Sequence, residues 1–472
     1  MNSSPVSTQV ASLAIPRAKK STAKLTLWPL IVATFFMVSG GTYGTEEIIH
    51  GAGYGRGILI VLLLPIFWCL PTAFMIGELS SALPAEGGYY EWVRRGLGDF
   101  WGFQEAWQSL AASVFDMAIY PTLFVFYLKQ MSPWFSAAHH AAIAGLFMVV
   151  TGTALNLLGI RVVGLTSVWL FALLSAPFAL LVVLAPFKAG AFGDPHAAAA
   201  VTQLGLLGGV LVAMWNYMGW DNASTIAQEV ERPQKTYPRA MMGAVALVSL
   251  SYIVPFAAVY ITGVHTSAFA EDGSWARVAG LIGGRWLGFE WLRFLVVMGG
   301  MMSAFGMLSA LVLSYSRLPL AMARDGMLPR VFAKTSSRTK VPWVAVLVCA
   351  ACWGLCLQLG FKRLVTLDIV LSGGSLMLEF AALVALRIRE PRLKRDFRVP
   401  GGLAGAILAG VFPLLLLILA LVESGNETVL GINGLAFGMM IIACGFVAYW
   451  ATMPLRRSLV AATDTRNAVA VE

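Results

Sequence analysis

This sequence predicts an all-α integral membrane protein of about twelve transmembrane helices, and three observations carry that reading. Of the 472 residues, 58% are hydrophobic and 12% charged, against roughly 25% charged in a soluble domain. Mean hydropathy is +0.76. Apolar segments of about 20 residues, the length a helix needs to cross a bilayer, recur along the whole chain. They fall near 26–50, 57–83, 100–130, 138–158, 164–187, 203–229, 238–263, 291–323, 342–360, 365–388, 403–423 and 432–453. Loops between them are mostly short, so a single membrane domain without a large soluble appendage is expected.

The net charge of +9 is distributed by side. With the N-terminus inside, inner segments hold Arg17, Lys19, Lys20 and Lys24, then Arg94 and Arg95, Arg161, and Arg232, Lys235 and Arg239. They continue with six basic residues from Arg317 to Lys340, six from Arg387 to Arg398, and Arg456, Arg457 and Arg466. The outer side keeps Arg56, Lys129, Lys188, Arg277, Arg285, Arg293, Lys362 and Arg363. Cytoplasmic loops are enriched in Lys and Arg, so both termini are expected in the cytoplasm and no nucleic acid is implied. The first 24 residues have no apolar core of a cleavable signal, so the first span doubles as the insertion signal. The five cysteines lie within spans without His or carboxylate company and read as packing residues; no metal or cofactor is expected. Asn426-Glu427-Thr428 is a glycosylation sequon in a predicted outer loop.

Span one contains VSGGTYGTEE, Val38 to Glu47. Gly40, Gly41 and Gly44, with Ser39 and Thr42, lower helix propensity there, so the helix is expected to break at membrane depth. Lipid cannot satisfy freed backbone groups, so such a break belongs against a protein-lined or watered cavity. Tyr43 and Glu46 join this candidate wall. Glu46 and Glu47 lie about 100° apart on a helix, which suits one to a cavity and the other to capping. Span two carries Pro65 and Pro71, and the inner loop Gly77 to Phe103 is richer in Gly and aromatics than a tether requires.

Span three places Asp116 within about 20° of Glu105 around the helix and about 16 Å along it, with Gln108 and Tyr120 near the same line. Such a stripe faces the bundle interior or an aqueous route, because a charge facing lipid costs several kcal/mol. Span six concentrates Asn216, Gly219, Asp221, Asn222 and Ser224 at its middle, beside Trp215, Tyr217 and Trp220, and predicts a second break. Paired interrupted spans in corresponding halves mark the binding site of inverted-repeat transporters. The outer loop His265 to Glu290 is expected to hold a short interfacial helix around Trp275 to Trp286. The basic segment Ser316 to Pro342 reads as an anchor to membrane lipid at the inner leaflet. Span ten aligns Asp368, Ser372, Ser375 and Glu379 within about 40°. Spans eleven and twelve hold almost no polar group besides Glu423 and read as outside the working core.

Three stretches together resemble the amino acid-polyamine-organocation superfamily of secondary transporters: GELSSALPAEGGYYEWV, YMGWDNASTIAQEVERPQKTYPRA and MARDGMLPRVFA. The resemblance covers nearly all of residues 28 to 453. VSGGTYGTEE, WGFQEAW, DMAIYPTLF and LEFAALVALRIRE make the chain most similar to the polyamine uptake branch and its bacterial relatives. The resemblance implies two inverted five-helix repeats, 25–190 and 200–390, and two additional helices at 400–455. Short cytoplasmic tails would flank them at 1–24 and 456–472. It implies substrate between spans one, three, six, eight and ten, and uptake of amino acids or polyamines across the cell membrane, proton-coupled or by exchange. Many relatives have Gly-Ser-Gly at the first break where this chain has Ser39-Gly40-Gly41, and span five lacks the lysine that some relatives carry. Proton coupling is therefore expected on carboxylates, with Glu47, Glu105, Asp116 and Glu379 as candidates.

Two substrate classes remain open at this point. An amino acid would place its carboxylate on the backbone of Gly40 to Gly44 and its ammonium on carbonyls of span six. A polyamine needs spaced anions instead, which Asp116, Asp221 and Glu379 offer, with cation-π faces on Tyr217 and Trp220. A non-transporting receptor or scaffold on the same frame is a third class. An enzyme is disfavoured, since there is no paired-His motif, nucleophile elbow or phosphate-cradling loop. The sequence sets no oligomeric state.

Overall fold

The computed structural model describes residues 24–85, 87–194, 203–357, 359–425 and 427–453. Most of both tails and Asn426 of the sequon lie outside the described residues. Helices make up most of the described residues, and nine helices among them are long and apolar enough to cross a membrane. Leu27–Val38 and Trp343–Leu355 are shorter apolar helices.

The helix α1 (Leu27–Val38) stops at Ser39, and α2 (Glu46–Leu64) begins after seven non-helical residues. Gly41 and Gly44 in that stretch sit at φ +76° and +83°, where an L side chain is strained. Gly53 departs from helical geometry within α2, at φ 74° and ψ 169°. A π turn follows at Pro65–Cys69, where Pro65 has no N–H to give the ladder, and the helix continues as α3 (Leu70–Ala82).

The inner loop is itself structured. Its helix α4 (Tyr89–Leu97) buries Tyr89, Tyr90, Trp92 and Val93 completely. Next come α5 (Asp99–Lys129), α6 (Ala138–Leu157) and α7 (Ile160–Leu184). The helix α8 (Gln203–Asn216) gives way at Tyr217, and a 3-10 segment covers Trp220–Glu229.

Then α9 (Pro233–Thr262) leads to α10 (Trp275–Gly283), which corrects the expected interfacial helix. Trp275, Val278, Ala279 and Ile282 recur at helical spacing and are buried, so α10 packs into the bundle against α11 (Trp291–Tyr315). Trp275 donates to Thr45 Oγ1 at 3.1 Å. A short α12 (Arg317–Arg324) and α13 (Trp343–Leu355) precede α14 (Phe361–Arg389). Arg317 is not an exposed lipid anchor: it is buried and pairs with Glu229 at 2.6 Å.

Only 22% and 17% of the apolar windows of α15 (Gly402–Ser424) and α16 (Gly434–Ala451) are buried, against 72% for Trp291–Arg324, which puts both at the periphery. A small hairpin, β1 (Thr428–Val429) with β2 (Ile432–Asn433), joins them.

Candidate functional site

The helical interruptions at 39–45 and 217–219 meet at the centre of the bundle. Gly219 adopts φ +86°, and a Cβ there would lie 2.5 Å from the Met37 carbonyl oxygen. Only glycine lets the two chain segments approach so closely. Beside this contact lies a small cavity with about 30 Å³ open to the centre of a water-sized sphere, room for one or two waters.

Five elements supply its polar lining. Asp116, Ser109 and Tyr120 come from α5; Asp221 and Asn222 from the 3-10 segment; Tyr315 from α11; Asp368, Ser372 and Ser375 from α14; Thr72 from α3. Trp68, Trp215 and Trp220 add aromatic wall, and Met37 and Val38 close the side of α1. Asp116 Oδ1 accepts from Tyr120 at 2.6 Å and Oδ2 from Tyr315 at 3.0 Å. Asp368 Oδ1 accepts from Ser372 at 2.8 Å. No ion pair among the described residues includes Asp116, Asp221 or Asp368. Three carboxyl groups thus share one cavity without an ion-pair partner among the described residues.

Of the candidates named from the sequence, Asp116, Gly219, Trp220 and Asp221 line this cavity. The stretch Ser39 to Gly44 does not, and the protein itself occupies much of its polar surface. Ser39 Oγ accepts from Gly41 N at 2.9 Å and lies 2.5 Å from Tyr252 Oη, which donates to the Asn216 carbonyl at 2.8 Å. Ser303 donates to the Gly40 carbonyl at 2.5 Å, Asn216 to that of Gly44 at 3.3 Å, and Thr45 Oγ1 to that of Thr42 at 2.6 Å. Thr42 and Tyr43 donate to the Ser251 and Leu174 carbonyls. These bonds hold the break in shape through its carbonyls and side chains, with Gly41 supplying the one backbone N–H among them.

Tyr217 is buried behind the wall, its hydroxyl donating to the Val61 carbonyl at 3.0 Å. Glu46 is buried and accepts from Tyr127 at 2.8 Å, while Glu47 is at the rim, paired with Lys362 at 3.0 Å. Glu105 and Glu379 are fully buried one helical turn beyond Ser109 and Ser375 of the cavity lining. Asp368 was absent from the sequence-based candidates, although its alignment with Ser372, Ser375 and Glu379 was a usable signal. Nothing around Tyr315 in the sequence singles it out.

The described residues thus form a multi-pass helical bundle around a central cavity lined by three carboxyl groups, and the comparisons below place it among membrane transporters. The profile described as amino acid permease matches residues 31–448. A probable polyamine transporter of Arabidopsis thaliana is 36% identical over 440 residues, covering 91% of this chain and 87% of its own. A polyamine transporter of Oryza sativa subsp. japonica is 33% identical over 426 residues, covering 89% and 78%. An uncharacterized transporter of Mycobacterium tuberculosis is 33% identical over 307 residues, covering 63% and 65%. The chain belongs to the amino acid permease family.

Proposed function

We propose that this protein is a secondary transporter of polyamines across the cell membrane. The observation that carries this reading is the meeting of Asp116, Asp221 and Asp368, from three separate helical elements, in one cavity with no Lys or Arg among the described residues of its lining. An amino acid would need a partner for its carboxylate, and the Ser39 to Gly44 backbone that could supply one lies outside the lining. The polyamine names of the plant relatives support the same choice.

Transport proceeds by alternating access in a frame of two inverted five-helix units, 25–190 and 200–390, with two peripheral helices and both tails cytoplasmic. Substrate enters only with movement of the lining, since the space shown holds a water or two. An inside-negative potential draws a polycation inward with about 2.3 kcal/mol per charge per 100 mV. Protons are the coupled ion: a proton and an ammonium group compete for the Asp116 carboxyl between its two tyrosines, so the amine is exchanged against a proton that moves the other way.

Uptake of radiolabelled putrescine, spermidine, arginine and alanine into proteoliposomes tests this. Accumulation of putrescine and spermidine, mutually competitive and responsive to an imposed pH gradient, is expected. Uptake of amino acids alone would overturn the polyamine assignment, and indifference to the gradient would overturn the coupling.

A further inference from the structure

Two more acids lie on the same helices as Asp116 and Asp368. Glu105 precedes Asp116 by 11 residues on α5, and Glu379 follows Asp368 by 11 on α14. That spacing returns within about 20° of the same helix line after about 16 Å.

The two helices run antiparallel. Phe126 meets Phe361 at their outer ends with ring centroids 6.0 Å apart. Asp116 and Asp368 face each other across the cavity, and a Cβ on Gly374 would lie 2.3 Å from Gln108 Oε1. Residue numbers therefore fall on α5 as they rise on α14, which brings Glu105 and Glu379 level with each other and within electrostatic reach.

Both side chains are fully buried. Ser109 donates to Glu105 Oε1 at 2.8 Å, but Glu105 Oε2 and both oxygens of Glu379 have no hydrogen-bond partner among the described residues. The buried Tyr89 hydroxyl lies near both acids. No ion pair among the described residues reaches either carboxyl. A buried carboxyl in this position needs a mobile cation, either a proton or an ammonium group.

We infer that Glu105 and Glu379 form an inner ammonium subsite that receives the far amino group of a long polyamine, so that the acids of α5 and α14 measure substrate length. This rests on the polyamine reading above. An extended chain advances about 1.25 Å per bond, so putrescine spans about 6 Å between its nitrogens, spermidine about 11 Å and spermine about 16 Å. The last matches the distance from the Asp116 and Asp368 level to the Glu105 and Glu379 level, with Asp221 available to the nitrogens between. Putrescine is too short to use both levels. Ser109, Ser375 and Leu376 form the floor that separates the cavity from the inner pair, and these are side chains that can move aside.

The test is uptake kinetics for putrescine and spermine in proteoliposomes containing the full-length protein, its Glu379→Gln and Glu105→Gln variants, and Glu379→Asp, which keeps the charge. The KM ratio of spermine to putrescine should rise at least tenfold in the two amide variants and much less in Glu379→Asp. An unchanged ratio would overturn the subsite. So would loss of the response to a pH gradient with the ratio preserved, which would mark the pair as a proton carrier. Wild-type protein that transports neither amine would instead overturn the polyamine reading itself.

Discussion

Asp116 of α5 and Tyr315 of α11 meet across the cavity, the tyrosine donating to Oδ2 at 3.0 Å while Tyr120 donates to Oδ1 at 2.6 Å. This contact ties the principal anion of the site to a helix that contributes no acid of its own to the lining. Asp116 thus has its orientation fixed by two neutral donors.

Asp116→Asn should raise the KM for putrescine ten- to a hundredfold, since a hydrogen bond to a charged group contributes about 1.5–3 kcal/mol. Tyr315→Phe removes one donor but keeps the Asp116 carboxyl for the amine, and should raise the KM less. Initial uptake rates over a range of putrescine concentrations check both; equal effects would mean that the charge of Asp116 is unimportant.

Gly219→Ala should impair both stability and transport. The substitution forces an L residue to φ +86° and sets its Cβ 2.5 Å from the Met37 oxygen. The left-handed conformation costs roughly 1–2 kcal/mol, and overpacking adds about 1–3 kcal/mol. A lower thermal midpoint in detergent at fixed scan rate, with reduced uptake, is the expected result.

Glu78 of α3 is fully buried and binds Arg387, Arg395 at 3.1 Å and the Val399 N–H at 2.7 Å. Glu78→Gln leaves two guanidinium groups without their counter-charge, which should cost about 3–5 kcal/mol. The rim pair Glu47 and Lys362 is partly exposed, so Glu47→Gln should cost less than about 1 kcal/mol. Comparing thermal midpoints of the two variants tests the contrast.

Glu91 of α4, outside the spans, has its carboxyl pushed up to about 7, first by burial and then by the neighbouring Asp325, against the opposing pull of Arg94. Arg94 lies 2.7 Å from Asp325 and 2.8 Å from Asp99. A carboxyl whose folded value is raised favours folding when protonated. Its contribution is complete below about 4.5 and is lost as pH rises through about 7. The wild-type midpoint should therefore fall across that interval relative to Glu91→Gln. Parallel midpoint profiles for the two proteins would refute the assignment.

The legible part of this protein was the part set within single segments. Hydropathy is local, so the apolar segments and the peripheral character of α15 and α16 could be read directly. Low helix propensity is local too, which is why the glycines of VSGGTYGTEE mark where α1 stops. Helical periodicity likewise put Glu105 with Asp116, and Asp368 with Glu379, each on one face of its own helix.

Which faces meet was decided by packing between residues distant in the chain. Asp116, Asp221, Tyr315 and Asp368 converge only once α5, α11, α14 and the Trp220–Glu229 segment are assembled. The Ser39 to Gly44 backbone reads from sequence as available for binding, yet Ser303 and Asn216 hydrogen-bond to its Gly40 and Gly44 carbonyls and Tyr252 to the Ser39 side chain, all from elsewhere in the chain. The interior burial of Trp275 and the pairing of Arg317 with Glu229 also depend on distant partners. Sequence therefore determined a membrane permease with acids at defined heights, because composition and periodicity act along one helix. Tertiary structure decided which of those acids share a cavity, because that depends on how separate helices pack against one another.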